Sequence, residues 1–190
     1  MISQHPKSTA LHDPANPGRM AEFDNIFQIP VGIDVAHHEL HEGDMYSVHT
    51  FANVANAANF DLVIHTMDSV AKRIHMFFEA EVEAESEFYV YEDATYTDGT
   101  GVAVVPINRE RNSAKTSDIQ DMESNPNILG VGNLLVQTMA GSGKKVGGRA
   151  RGLEELVLRN DTIYLFRITN VSGGIEWVSP QLTWYEHSNE

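Results

Sequence analysis

No cysteine occurs anywhere in the 190 residues. That excludes a disulfide framework, a thiolate zinc site, an iron–sulfur cluster and a cysteine nucleophile. It leaves the redox compartment open, since a cysteine-free chain is stable in either. Basic residues are scarce: 13 Lys and Arg stand against 27 Asp and Glu, a formal net charge of -14. A surface of that sign is repelled by nucleic acid and anionic lipid, so neither is expected as a partner. Long hydrophobic runs are missing too. Stretches such as Val102–Val105 fall far short of the roughly 18 apolar residues a membrane helix needs. The opening MISQHPKSTALHDPANPG lacks the apolar segment of a signal peptide, so none is expected.

Complete catalytic motifs are absent as well. Gly141-Ser142-Gly143-Lys144-Lys145 brushes against a phosphate loop, but Thr138 stands where the pattern needs glycine and Lys145 where it needs Ser or Thr. No G-x-S-x-G nucleophile elbow occurs. We therefore assign no catalytic, cofactor-binding or metal-binding residue from the sequence.

What is present reads as one domain with a tail. The composition, 42% hydrophobic and 21% charged, is that of a foldable globular chain. Residues 1–22 stand apart, with Pro6, Pro14 and Pro17 and no apolar period. They are expected to form an extended N-terminal arm, or a disordered tail, ahead of a domain spanning 23–190.

From Phe23 onward, strand signals follow one another between Gly, Asn, Asp and Ser. The expected strands are Met45–Val54, Phe60–Met67, Arg73–Val82, Phe88–Tyr91, Gly101–Asn108, Leu134–Met139, Glu154–Arg159, Ile163–Thr169 and Ile175–Tyr185. Turn signals fall at Asp98-Gly99, Gly141–Gly143, Gly147-Gly148, Asn160-Asp161 and Gly173-Gly174. This spacing predicts an all-β, antiparallel, jelly-roll-like β-sandwich. Helix is expected only as short turns, at Ser117–Gln120, which has capping-box form, and at Asn53–Asn59.

Three constellations carry chemistry. Glu79, Glu81, Glu83, Glu85 and Glu87 recur at period two, with Phe78, Ala80, Val82 and Ala84 between them. On a strand the glutamates would share one solvent face, either a plain solvated surface or a docking face for cations or basic residues. They do not suit a glycosidase, whose raised carboxyl needs an apolar setting. His37, His38, His41 and His49 lie among Glu39, Glu42 and Asp44. These are metal-ligand types, but the spacing is not H-E-x-x-H, and a polar loop entering the strand at Met45 explains them equally. The aromatics Tyr164, Phe166, Trp177, Trp184 and Tyr185 are core or interface residues, or a sugar-binding platform.

Four phrases occur together in order: IDVAHHELHEGDMYSVHTFANVANAANFDLVI, INRERNSAKTSDI, GSGKKVGGRARGLEELVLRNDTIYLFRITNVSGG and LTWYE. As an ordered set they resemble a group of tailed-bacteriophage virion proteins, the head decoration or cement proteins, over Ile33 to Glu186. The arm lies outside that resemblance. It implies a non-enzymatic protein on the outer surface of the capsid, made in the host cytoplasm. Its implied partners are the major capsid protein and further copies of itself, as a trimer or otherwise a dimer. Two alternatives stay open: a tail-associated receptor- or glycan-binding module, and a cupin-like metal enzyme using the histidine cluster.

Overall fold

The computed structural model describes residues 11–12, 20–23, 30–32, 35–68, 72–141, 148–151 and 155–188. The chain forms β1 (Leu11–His12), β2 (Met20–Phe23), β3 (Pro30–Gly32), α1 (Val35–Glu42), β4 (Met45–His49), β5 (Ala52–Val54), β6 (Asn59–Thr66), β7 (Lys72–Val82) and β8 (Ser86–Glu92). There follow β9 (Thr95–Thr97), β10 (Val102–Ala103), β11 (Ile107–Asn108), β12 (Ile119–Ser124), β13 (Asn127–Gly130) and β14 (Asn133–Ala140). The last elements are β15 (Gly148–Arg151), β16 (Leu156–Leu158), β17 (Ile163–Asn170) and β18 (Glu176–Ser188).

Two antiparallel sheets make the sandwich. One has the order β10-β12-β6-β17-β8-β14. The other runs β11-β4-β18-β7-β15, with β16 also on β7 and β5 also on β18. The chain passes from sheet to sheet at β5–β6, β6–β7, β7–β8, β10–β11, β11–β12, β14–β15, β16–β17 and β17–β18. Such crossings make the sandwich jelly-roll-like. The expected fold is therefore the observed one.

The core follows from period two. Along β7, Ile74, Met76, Phe78, Ala80 and Val82 are buried while residues between them are not. Along β18, Val178, Leu182 and Trp184 do the same. They meet Leu62, Ile64, Phe88, Val90, Tyr164 and Phe166 of the other sheet. β6 breaks the alternation, because a ribbon of β9 and β13 covers the outer face of its sheet. Val63, Leu165 and Ala94 are buried there against Tyr96, Ile128 and Val131.

Several sequence expectations need correction. The histidine-rich stretch is a helix, α1, and not a loop. It ends in a Schellman motif: Gly43 takes φ +77°, its N–H donates to Leu40 O, and Asp44 N–H donates to Glu39 O. Ser117–Gln120 starts no helix. Ser117 Oγ accepts from Ile119 N, and the chain enters β12. β12 escapes the period-two search because a bulge between Ile119 and Asp121 shifts its parity. Asn53–Asn59 holds the end of β5, a turn and the start of β6. Gly101–Asn108 is two short strands, with Pro106 between them.

Of the arm and the residues after it, β1, β2 and β3 form a small antiparallel sheet of their own. The other positions before Val35, including Pro6, Pro14 and Pro17, lie outside the described residues.

Candidate interaction surface

None of the five glutamates is buried, and Phe78, Ala80 and Val82 between them are. The row lies outside the core, as its period requires, with Glu81 and Glu83 exposed and Glu79, Glu85 and Glu87 half-buried. It is not one strand face, however. β7 ends at Val82, Glu83 and Glu85 lie in the turn, and Glu87 stands on β8 in the other sheet. The turn is set from within: buried Glu176 accepts hydrogen bonds from Ala84 N (2.8 Å) and from the Ser86 hydroxyl. In register, Arg149 of β15 stands opposite Glu81 and Arg151 opposite Glu79. Opposite charges at directly facing positions stabilise a sheet, where like charges would oppose it.

The four histidines do not converge on one point. His37 and His41 are one turn apart on α1, their Nε2 atoms 3.1 Å apart. His38 pairs with neighbouring Glu39 at 3.6 Å. His49 is at the end of β4, beside a shallow groove lined by Glu79, Glu81, Ser179 and Gln181. Asp44 is engaged by Lys72 Nζ (2.9 Å) and Lys115 Nζ (2.6 Å). Burial acts to raise its carboxyl, but the bonds from Lys115 and Lys72 outweigh that and hold it below the usual aspartate value.

Of the aromatics, Tyr164, Phe166, Trp184 and Tyr185 are buried. Trp184 donates through Nε1 to Glu186 Oε1 at 3.1 Å. Glu186 is wholly buried; burial pushes its carboxyl up, and bonds from Ser117, Asp118 N–H and Trp184 only partly offset that. Trp177 alone reaches the surface, stacked on exposed Phe51 with centroids 6.2 Å apart.

The surface that sequence reasoning missed is β14. It pairs with β8 on one side, and among the described residues no strand pairs with its other side. Leu134, Leu135 and Met139 are 52%, 43% and 49% exposed. LLVQTM reads as a core strand, but a register shift between Leu134 and Val136 turns both leucines outward. On β8 the buried Phe88 and Val90 alternate with Tyr89 and Tyr91, which stack at 5.8 Å. Across the ladder Tyr91 faces Leu134, and Glu87, whose carboxylate takes the Tyr89 hydroxyl, faces Met139. An unpaired edge flanked by Leu, Met and Tyr has the composition of a protein-docking surface.

One acidic group has a structural role. Asp98, Asp121 and Glu123 place carboxylate oxygens within 4.8 Å of one another. Glu123 accepts from Gly99 N (2.6 Å) and Gly101 N (2.7 Å), and Asp121 from Tyr96 OH (2.7 Å). These bonds anchor the loop at 98–101.

No protein-family model matches the chain, and no curated protein does. Among solved structures, it is similar to a structure of infectious bursal disease virus, Gt strain, at 11% identity and a TM-score of 0.20, over 86% of this chain and 44% of that one. It is also similar to the unassembled VP1 pentamer of KI polyomavirus, at 8% identity and a TM-score of 0.14, over 75% and 74%. The chain thus spans less than half the length of the first. At these scores neither likeness bears on function.

Proposed function

We propose that this chain is a structural protein of a tailed-phage virion that binds the outer surface of the head and stabilises it by bridging capsid subunits. Two things support the reading: the ordered phrases shared with decoration proteins, and a fold whose chemistry lies in surfaces. The observation that carries it is the bare apolar edge at β14. Covering such an edge on a neighbouring subunit removes apolar surface from water, at roughly 25 cal/mol per Å². Binding energy available only to the assembled shell stabilises that shell by linkage. The partners are the major capsid protein and further copies of this chain, as a trimer or otherwise a dimer about a local symmetry axis. The arm 1–22 acts as a tether. The reading assigns no catalytic or cofactor-binding residue.

The test adds purified full-length chain to phage heads that lack it, followed by sedimentation and cryo-microscopy. Density on the shell is the expected result. No binding to heads overturns the reading. The exposed Phe51–Trp177 stack favours one alternative, a tail-borne glycan-binding module. Density on the tail, together with glycan binding lost in Trp177→Ala, would establish that module instead.

A further inference from the structure

His75 of β7 and His187 of β18, neither in the histidine-rich helix, face each other through their Nε2 atoms at 2.9 Å. Their other nitrogens are committed. His187 Nδ1 lies 2.9 Å from the carbonyl oxygen of Ser188, which can only accept. His75 Nδ1 contacts Oε1 of Glu155, and that same oxygen accepts the Tyr185 hydroxyl at 2.5 Å. Each imidazole therefore carries its proton on Nδ1, and each Nε2 presents a lone pair. Two lone pairs at 2.9 Å repel unless a cation lies between them.

The ring geometry selects the cation. A shared proton favours a near-linear N–H···N bond, which would set the ring centroids about 5.2 Å apart. Two nitrogens each about 2.0 Å from one metal ion, with the observed separation, subtend about 90° there and bring the centroids to about 4.5 Å. The observed centroid distance is 4.7 Å, nearer the chelate. An angle near 90° is that of a square, tetragonal or octahedral ion, and among first-row divalent ions of those geometries imidazole nitrogens bind Ni²⁺ and Cu²⁺ most tightly; tetrahedral zinc would need the nitrogens about 3.3 Å apart. The surroundings match those of metal-bound histidines, whose second nitrogen is held by a carboxylate or a backbone carbonyl. Tyr185 stacks on His75 with centroids 4.7 Å apart and planes 11° apart, fixing the ring.

We propose that His75 and His187 chelate a divalent first-row transition ion of tetragonal preference, Cu²⁺ or Ni²⁺, with Glu155 as positioning residue. The remaining coordination positions go to water or to a donor from a second protein. This site is independent of the virion reading. The test titrates the full chain with CuCl₂ and, separately, NiCl₂ by calorimetry, with copper spin resonance as the second readout. We expect one ion per chain at this site, with two imidazole nitrogens in the copper spectrum. His187→Ala should lower affinity at least tenfold and remove one nitrogen from the spectrum. Glu155→Gln should lower affinity 10- to 100-fold while keeping both nitrogens. His41→Ala, which removes the other histidine pair, should change neither. If His187→Ala does not fold, His75→Gln tests the same point. Equal affinity in His187→Ala and the parent, or no binding by the parent, overturns the proposal and leaves a shared proton between the rings.

Discussion

The two sheets end differently. Beyond β7 lie β15 and β16, and the outward Glu79 and Glu81 face Arg151 and Arg149 in register. Beyond β14 there is no paired strand among the described residues, and Leu134, Leu135 and Met139 stand in solvent. Soluble monomers blunt a bare edge with charge, proline or a covering loop. One sheet is continued past β7 by further strands; the other ends, among the described residues, on an apolar strand. The contrast locates the face that a partner would cover.

The comparison breaks first on stability. Phe78 on β7 packs against Phe88 and Phe166 in the core. Phe78→Ala should cost about 3–5 kcal/mol in denaturant unfolding. Leu135→Ala on β14 should stay within about 0.5 kcal/mol. A large loss at Leu135 would mean that β14 is covered within the monomer.

Two carboxylates of opposite behaviour, Glu186 on β18 and Asp44 just before β4, lie at the sheet containing β7. Glu186 is raised by burial, so its contribution is fully present below the unfolded value of 4.5 and fades as pH rises through the folded one. Asp44 is lowered, so its contribution holds above 3.8 and is lost as pH falls through the folded value. Glu186→Gln should therefore flatten the loss of stability that sets in as pH rises above about 4.5. An unchanged slope would show that Glu186 is not the group responsible.

Smaller effects sharpen the charged side. Reversing Arg149 and Arg151 to Glu puts like charges opposite Glu81 and Glu79 and should cost about 0.2–1 kcal/mol per pair, more at low salt. Deleting residues 1–19 should leave the melting temperature of the domain nearly unchanged while weakening attachment to heads. A truncated chain that does not fold would make the arm part of the core.

The sandwich was legible wherever period two ran unbroken, as in Arg73–Val82 and Ile163–Thr169. It was hidden at Ile119–Asp121, where a bulge shifts parity; at Leu134–Val136 the strand was legible, but the bulge there hid the exposure of its leucines. The exposure of the glutamates could be read from their spacing. Their passage from one sheet to the other could not, because the turn at Glu83 depends on Glu176, distant in sequence and buried beneath it. His75 and His187 meet only through the β7–β18 ladder, which no local pattern announces.

The account rests on β14 as the docking edge, and sedimentation velocity tests it most directly. The parent chain and a Leu135→Lys/Met139→Lys variant would be run at the same micromolar concentration, with circular dichroism to confirm that both are folded. A parent that sediments as a trimer or dimer and a variant that sediments as a folded monomer is the result the account requires. A parent and variant with the same sedimentation coefficient would contradict it.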